Sequence, residues 1–365
     1  MKILWLAHRD PLHPKAGGAE RSILEICSRL VGMQYDVTVL AAGCKGYKGN
    51  ETFRGFKIRR FGNSLFLHLY VPLFIMKNVP DVVVDDLGHA IPWPSTTLLR
   101  KKAVVFFHHL HARSLPGQVN RILACLITAL EKCYFIIYSN NTFITESTTS
   151  VDDLMRLGID RQNIVRITPG VNLNLYRRSE KTTDPSIVYF GGMRKYKRPA
   201  EIIHIFHDLI GKIPTLQLIM IGIGSELQRL QELVKTYGLY NDVTFTGRVT
   251  DSVLASKLSE SWLNLHASVT EGWGFSILEA SAAGTPTVGY SVPGVADAIE
   301  DCKNGIKVKD GDKKAFVEAA IRILNDPKQW WDASRAVAEK YSWDDTARMW
   351  DETIKRVSNQ HPMDI

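Results

Sequence analysis

The sequence predicts an α/β protein with two domains, each built on a parallel sheet. A chain of 365 residues is longer than one hydrophobic core usually organises, so two domains are expected. Short apolar segments alternate with helical segments along the chain, and this order produces parallel sheets. Several apolar segments run into glycine-rich turns, at the strand ends where open α/β sheets bind ligands.

The composition is that of an ordinary globular protein, with 45% hydrophobic and 23% charged residues. The five cysteines show no paired spacing, which favours a reducing compartment such as the cytoplasm. It indicates neither a disulfide framework nor a zinc site. Residues 1–7 form an apolar run too short for a signal peptide, so we expect a first strand there.

Positive charge is concentrated in the first half of the chain. Residues 1–180 contain 23 lysines and arginines against 14 acidic residues, whereas residues 181–365 contain 22 against 24. A basic first domain suits an anionic lipid surface or a phosphorylated acceptor, and the lack of RNA-binding or zinc-finger signatures disfavours nucleic acid. Residues 65–76 are apolar but too short to span a membrane. They are expected to form a buried helix or loop, or a surface that dips into the membrane interface.

The predicted first domain alternates strands and helices. Strands are expected at residues 3–7, 35–41, 53–61, 81–86, 103–107, 135–138 and 143–147, and helices at 19–31, 119–133 and 150–157. The basic residues of the strand at 53–61 are typical of an edge strand or of a strand that faces solvent. Gly17 and Gly18, at the entrance to the first helix, leave the backbone open to a phosphate group.

Polar side chains follow two of these strands. Asp85 and Asp86 point to opposite faces, so a metal-binding pair is disfavoured and one carboxylate, which we take to be Asp86, can line the interdomain cleft. His108, His109 and His111 share no face of a strand or helix, which also disfavours a metal. His109 and His111 each either contact a bound ligand or are hydrogen-bonded loop histidines.

The predicted second domain begins with a strand at 187–190 that runs into Gly191 and Gly192. Arg194 and Lys197 follow ahead of a helix, and they form either a clamp for a diphosphate or a solvated basic loop. Further strands are expected at 216–221, 243–249 and 262–268, and further helices at 226–237, 275–283 and from 313. Asp310 and Asp312 precede that last helix, so a helix cap explains them better than a metal site does.

The most informative stretch follows the strand at 262–268. Glycines leave this loop free of side-chain bulk, and backbone N–H groups at the positive end of the next helix suit a phosphate. Two carboxylates nearby suit the hydroxyls of a sugar and of a ribose. The residues expected to contact a ligand here are Glu271, Gly274, Phe275, Ser276 and Glu279.

The segment from Glu271 to Pro286 (EGWGFSILEASAAGTP) resembles the Glu-x7-Glu signature of glycosyltransferase family 4, whose members have the two-lobed GT-B fold. The resemblance covers essentially the whole chain and implies two Rossmann-like domains facing an interdomain cleft. It also implies retaining transfer of a sugar from a nucleotide diphosphate sugar, UDP- or GDP-linked, to an acceptor hydroxyl. Glu271 and the backbone near Phe275 would hold the donor sugar, and Glu279 the ribose.

The same resemblance implies roles for three other segments of the chain. His108 stands where the family has a histidine that contacts the reacting sugar. The loop with Gly17 and Gly18 would reach toward the donor diphosphate and the acceptor. Gly247 and Arg248 belong to the segment that would hold the nucleobase.

The chain departs from the family pattern beside the diphosphate, where Gly192 replaces the usual arginine. Arg194 is expected to make that contact instead, together with Lys197. The family implies no metal cofactor, and the departing phosphate is expected to accept the acceptor's proton.

The domains are expected at residues 1–178 and 184–340, because the polar segment at 177–185 reads as a linker. The resemblance implies that a final helix at about 343–357 packs back on the first domain. Residues 358–365 are expected to be disordered.

The expected acceptor is a lipid-linked sugar or a growing glycan, at the cytoplasmic face of a membrane. The alternatives are a GT-B epimerase or phosphorylase, and a non-catalytic basic scaffold that binds lipid or nucleic acid. The sequence leaves the donor base and the oligomeric state open.

Overall fold

A computed structural model describes residues 1–44, 46, 49–89, 91–93, 103–115 and 119–359. The chain divides into two compact units. The first takes in residues 1–112, 121–170 and the chain from Trp343 onward, and the second takes in residues 113–120 and 171–342. The five cysteines all lie in the described part and are free thiols.

Within the described residues, the first unit contains an eight-stranded sheet. Its strands are β1 (Lys2–Leu6), β2 (Asp36–Ala41), β3 (Asn50–Phe53), β4 (Phe56–Arg60), β5 (Val82–Asp86), β6 (Ala103–Phe107), β7 (Thr142–Thr145) and β8 (Ile164–Arg166). The spatial order is β3-β4-β2-β1-β5-β6-β7-β8. The pairs from β4 to β8 are parallel, and β3 pairs antiparallel with β4.

The strand predicted at 53–61 is found as β4, but the alternative that makes it the sheet edge is wrong. Arg54 and Gly55 have positive φ and form a tight turn, so the segment becomes a hairpin. Strand β3 lies outside β4 and forms the edge, while Phe56 and Ile58 of β4 are buried.

The helices of the first unit are α1 (Gly18–Gly32), α2 (Ser64–Asn78), α3 (Arg121–Lys132), α4 (Tyr134–Ile137), α5 (Thr148–Arg156) and a C-terminal helix, Trp343–Asn359. The strand predicted at 135–138 is wrong, because α4 occupies that segment. Tyr134 and Tyr138 lie one turn apart on a buried face, and the N–H of Tyr138 donates to the carbonyl of Tyr134 at 2.8 Å.

The C-terminal helix packs within the first unit, against α1. Its buried Trp350 contacts the ring of Trp5 at a centroid distance of 4.9 Å and that of Phe106 at 5.1 Å. Ser358 and Asn359, which were predicted to be disordered, are helical because this amphipathic pattern continues to Val357. The remaining predicted tail, residues 360–365, lies outside the described residues.

The second unit contains, among its described residues, a six-stranded parallel sheet in the order β11-β10-β9-β12-β13-β14. Its strands are β9 (Ser186–Phe190), β10 (Gln217–Ile221), β11 (Val243–Gly247), β12 (Leu263–His266), β13 (Thr287–Tyr290) and β14 (Gly305–Val308). Its helices are α6 (Pro199–Ile210), α7 (Leu227–Thr236), α8 (Asp251–Glu260), α9 (Phe275–Ala282), α10 (Val295–Ala298), α11 (Lys313–Asn325) and α12 (Lys328–Ala338).

The segment predicted as a linker, residues 177–185, lies inside the second unit rather than between the two. The chain passes from the first unit to the second at Gly170 and Val171, where the Val171 N–H donates to the Tyr341 carbonyl at 3.1 Å. Lys181 anchors the later segment through hydrogen bonds to Ser261, Gly284 and Thr285.

Candidate functional site

The strand order of the second sheet reverses between β9 and β12, which are neighbours. In open α/β sheets, ligands bind outside the carboxyl ends of the strands at such a reversal. Here β9 runs into Gly191 and Gly192, and β12 runs into the loop that carries Glu271. The structure therefore brings the two predicted donor segments of this unit to one place.

Helix α9 begins where the sequence predicted it. Gly274 precedes it with φ of 91°, a backbone conformation that residues with a side chain rarely adopt. The first helical hydrogen bonds run from Ile277 and Leu278 to the Gly274 carbonyl. The peptide dipoles make this end of α9 positive, and Phe275 and Ser276 are half-buried there. Glu279 lies on the same helix and is buried.

Glu271 is held by two cationic or polar partners. The Nζ of Lys197 donates to its Oε1, and the Nε2 of His266 lies 3.2 Å from the same oxygen. Burial alone would raise the pKa of Glu271, but the charge of Lys197 and the contact with His266 outweigh it and hold that pKa well below its usual range. Burial lowers the pKa of Lys197, but Glu271 outweighs it and the pKa is raised.

Tight backbone packing fixes the position of Glu271. Its N–H donates to the Pro293 carbonyl at 2.9 Å. A Cβ added at Gly294, whose φ is 78°, would lie 2.4 Å from the Glu271 carbonyl oxygen. Only glycine allows this approach, so the loop after β12 is held by the loop after β13.

Arg194 lies beside the glycine that replaces the family's arginine. A Cβ built at Gly192 would lie 3.7 Å from Arg194 Nε and 3.8 Å from its Cγ, and the Arg194 side chain is exposed. The space that a side chain at 192 would enter is thus lined by the Arg194 side chain. Arg198, the next arginine along, instead bonds Asp310, while Asp312 caps α11 through the Ala315 N–H at 3.0 Å. The helix-cap interpretation of Asp312 is confirmed.

The predicted nucleobase segment lies at the carboxyl end of β11. Gly247 ends this strand, its carbonyl accepts a hydrogen bond from the Gly222 N–H at 2.9 Å, and Arg248 is exposed. Because β11 is the edge strand beside β10, Gly247 lies at the same carboxyl edge of the sheet as Gly191 and Glu271.

The first unit has its own buried polar group at the carboxyl ends of β5 and β6. The Nε2 of His108 lies 2.9 Å from Asp86 Oδ1, and its Nδ1 lies 3.7 Å from Glu146 Oε2. The Trp5 indole donates to Asp86 at 3.0 Å, and the Ser22 hydroxyl of α1 donates to Glu146 at 3.0 Å.

His108 is a cation in this environment. Burial alone would lower its pKa, but the carboxylates of Asp86 and Glu146 outweigh burial and raise the pKa to about 10. A Cβ at Gly88 would lie 3.0 Å from Asp86 Oδ1, 3.7 Å from Ala19 Cβ and 3.8 Å from His108 Cδ2. The first turn of α1, Asp86 and His108 thus lie around Gly88 at the carboxyl edge of the first sheet.

His109 and His111 make a separate set of contacts. Their rings lie 4.9 Å apart, and the Glu131 carboxylate accepts from the N–H groups of His111 and Ala112 at 2.5 and 3.1 Å. His111 is therefore the hydrogen-bonded loop histidine that one interpretation predicted.

Sequence reasoning missed His266 in the second unit and Glu146 and Ser22 in the first. The sequence feature that could have indicated His266 and Glu146 is their position at the carboxyl end of a predicted strand. His266 ends a central strand, and Glu146 follows β7. It also missed a group of three histidines. His8 and His89 follow β1 and β5, the neighbours at which the first sheet reverses its order, and their rings stack at 4.5 Å.

The third histidine of this group is His68 of α2, whose ring lies 5.5 Å from that of His89. Burial lowers the pKa of all three, to about 4 for His8, so they are neutral near pH 7. The fold thus places a cationic histidine, His108, and neutral histidines at one edge of the first sheet.

Comparison with known proteins agrees with this architecture. A family profile described as "Glycosyltransferase Family 4" matches residues 16–175, and one described as "Glycosyl transferases group 1" matches residues 175–341. The sucrose-phosphate synthase of Thermosynechococcus elongatus superposes with a TM-score of 0.85 at 19% identity, over 98% of each chain. HepE of Anabaena, solved with UDP-glucose, superposes with a TM-score of 0.76 at 16% identity, over 98% of this chain and 100% of that one.

Two parallel-sheet Rossmann-like units of this kind match the GT-B fold of these solved structures. The two profiles together place the chain in the GT4-type glycosyltransferases. Among curated proteins, an uncharacterized glycosyltransferase of Haemophilus influenzae is 23% identical over 348 residues, which is 92% of this chain and 95% of that protein.

Proposed function

We propose that this glycosyltransferase moves a sugar from a UDP- or GDP-sugar to an acceptor hydroxyl, with retention of configuration at the anomeric carbon. The ion pair of Glu271 and Lys197 is the observation that carries the proposal. It places a carboxylate, which accepts hydrogen bonds from sugar hydroxyls, directly beside an ammonium group that suits a diphosphate. Both lie at the reversal point of the sheet and near the positive end of α9.

The proposed reaction breaks the bond between the anomeric carbon and the β-phosphate oxygen. The acceptor oxygen bonds to the same face of that carbon, and its proton passes to the departing phosphate. Negative charge grows on the phosphate, so Lys197, Arg194 and the N-terminus of α9 stabilise the transition state. No metal cofactor and no side-chain nucleophile take part in this proposal.

Donor binding changes the partners of the ion pair. In the structure, Lys197 is bonded to Glu271. We expect the diphosphate to take over the ammonium of Lys197 and the sugar hydroxyls to take over the carboxylate, while His266 keeps Glu271 ionised. Glu279 would accept from the ribose hydroxyls, and the backbone at Gly247 and Arg248 would contact the base. HepE, which binds UDP-glucose, supports a nucleotide sugar as the donor.

The first unit is proposed to take the acceptor, a lipid-linked sugar or a growing glycan at a cytoplasmic membrane face. The basic balance of residues 1–180 suits a phosphate-bearing acceptor. Asp86 and His109 are proposed to position its hydroxyls, and the backbone at Gly17 and Gly18 to meet phosphate. His108 keeps the role that the resemblance implies, contact with the reacting sugar.

A thermal-shift screen of UDP-, GDP- and ADP-sugars, followed by a turnover assay, tests the proposal. We expect one nucleotide sugar to raise the melting temperature and to release its nucleoside diphosphate in the presence of a glycan acceptor. Epimerised donor without acceptor would indicate an epimerase, and turnover that needs orthophosphate would indicate a phosphorylase. Absence of binding to every nucleotide sugar would contradict the proposal.

A further inference from the structure

Helix α2 is apolar on all sides but only half of it is covered. Leu67, Val71 and Ile75 are buried in the core of the first unit. On the opposite side, apolar side chains keep 56–71% of their surface exposed; they are Leu65, Phe66, Leu69, Leu73 and Met76. A helix that is apolar all round is normally buried on all sides, so this face lacks an occupant among the described residues.

Helix α3 repeats the same pattern. Ile122, Leu123, Leu126 and Leu130 are 39–76% exposed. Their spacing is identical to that of Leu65, Phe66, Leu69 and Leu73, so each set forms one stripe on its helix. Helix α4, which follows at once, adds exposed Phe135 and Ile136.

The two helices are associated with the same side of the sheet. Val71 of α2 and Tyr134 of α4 belong to one core cluster, which also contains Leu4 of β1 and Phe107 of β6. Helix α3 is joined to α4 by the single residue Cys133. Helix α2, and α3 together with α4, are therefore assigned to one side of the first unit.

The exposed charges on α2 and α3 are all positive. The exposed charged residues are Lys77 of α2, and Arg121 and Lys132 of α3. The carboxylate of Glu131, the acidic residue of α3, is buried against the N–H groups of His111 and Ala112. In the sequence, no acidic residue occurs at positions 52–80 or 87–130.

We propose that α2 and α3 form a lipid-contact surface that binds an anionic bilayer. The leucine stripes would enter the boundary between headgroups and acyl chains, while Lys77, Arg121 and Lys132 meet lipid phosphates. Charge complementarity favours this occupant over a second copy of the chain, because two such faces would bring like charges together. Among the described residues no helix is long and apolar enough to cross a membrane.

The inference rests on the proposed function in one respect, that a lipid-linked acceptor would be found at the surface to which the first unit binds. Vesicle binding and donor binding are separate measurements. A failure of the lipid contact is therefore distinguishable from a failure of the donor site.

Co-sedimentation with vesicles tests the surface directly. We expect the full chain to bind vesicles of phosphatidylcholine mixed with phosphatidylglycerol, and to bind phosphatidylcholine alone more weakly, with added salt reducing the difference. The double variant Leu69→Glu, Leu73→Glu should lower the partition coefficient at least about a hundredfold, because each leucine that leaves the lipid forfeits about tenfold or more. Leu126→Glu in α3 should weaken binding about tenfold or more for the same reason.

The matched control is Tyr240→Glu with Val253→Glu, two exposed apolar residues of the second unit. It should bind vesicles like the wild type, and all variants should bind the nucleotide sugar equally in lipid-free buffer. Wild-type binding by Leu69→Glu, Leu73→Glu, or no binding of the wild-type chain to the anionic vesicles, would overturn the inference. So would a wild-type dimer that this variant converts to a monomer.

Discussion

At the residue scale, the candidate donor site depends on a carboxylate that stays ionised although it is buried. Lys197 and His266 both contact Glu271 Oε1, and together they offset its desolvation. Removing either partner leaves a buried charge with less compensation. The site is therefore sensitive to changes that alter charge without altering shape.

The position of Arg194 beside Gly192 leads to a rescue experiment. Arg194→Ala should raise the Kd for the nucleotide sugar about tenfold, because a charge-assisted contact to phosphate is lost. Gly192 has a backbone conformation open to other residues, so Gly192→Arg in the Arg194→Ala background should restore affinity to within about threefold of the wild type. Calorimetric titration checks both. Wild-type affinity in Arg194→Ala would show that this arginine makes no donor contact.

The cationic His108 predicts a pH dependence of stability. Its folded pKa, about 10, lies above its ordinary value of 6.5. Its contribution is thus full below about pH 6.5 and is lost as pH rises toward 10, by at most about 1.4 kcal/mol per pH unit. We expect the difference in unfolding free energy between the wild type and His108→Gln to shrink over this range. Urea unfolding at several pH values measures it, and a difference that is constant or grows would contradict the assignment.

The sequence predicted Glu271, Lys197 and Asp86 because each follows a strand or glycine turn that marks a ligand-binding edge. It could not predict their partners. Ser22 and Glu146 are 124 positions apart, and Lys197 and Glu271 are 74 apart, so only the folded sheets bring them together. Local pattern carries no information about which distant side chain a carboxylate meets.

At the scale of elements, the loop after β12 is positioned by backbone packing against the loop after β13. The contact of Gly294 with the Glu271 carbonyl leaves no room for a side chain. This arrangement transmits any shift at residue 294 to the residue proposed to hold the sugar.

Gly294→Ala should therefore lower kcat/KM about a hundredfold, because it displaces Glu271 by a fraction of an ångström to an ångström. The matched control is Gly311→Ala. Gly311 has nearly the same φ, 81°, and nothing lies within 4 Å of an added Cβ. Both variants place alanine at nearly the same positive φ, so steady-state kinetics compares a site with the close contact to one without it. An equal loss of kcat/KM in the two variants would contradict the proposal that the contact with Gly294 positions Glu271.

Most elements were predictable from local pattern: α1 from its apolar periodicity, α9 from a run of helix formers that ends at Gly284, and the central strands from short apolar runs. The strand prediction at 135–138 was wrong because four apolar residues in a row, 134–137, fit a buried strand as well as a turn of helix. The β3–β4 hairpin was not predicted because its turn, at Arg54 and Gly55, lies within a segment rich in basic and apolar residues that gives no turn signal. The outer face of α2 could not be decided from its sequence, which is apolar on both sides.

At the scale of the whole molecule, the chain leaves the first unit at Gly170 and returns to it at Trp343. The return is anchored by Trp350, which fills a core position between Trp5 and Phe106. The Thr346 hydroxyl adds a hydrogen bond to the Thr168 carbonyl at 2.8 Å. The first unit is thus assembled from sequence segments at both ends of the chain.

Trp350→Ala should destabilise the first unit by about 3–5 kcal/mol, the usual effect of truncating a buried tryptophan. Met349→Ala, an exposed neighbour on the same helix, should have little effect. Hydrogen exchange distinguishes the units, since protection should fall in β1 and β6 but not in β9 or β12. Equal loss of protection in all four strands would contradict this division.

Chain length and strand pattern predicted two domains, but they did not predict that the chain passes from the first unit to the second at Gly170 and Val171. Residues 177–185 are polar, which made them look like a linker. Lys181 and Thr182 nevertheless bond to Ser261 and Glu260, contacts that composition cannot indicate.

The central claim is that Glu271 holds the donor sugar and Glu279 the ribose. Calorimetric titration of Glu271→Gln and Glu279→Gln with the nucleoside diphosphate and with its sugar conjugate, beside a turnover assay, tests it most directly. Glu318→Gln, an exposed surface carboxylate, is the control. We predict that Glu271→Gln binds the nucleoside diphosphate like the wild type but loses about a hundredfold in turnover, whereas Glu279→Gln weakens both ligands. Wild-type turnover by Glu271→Gln would contradict the account.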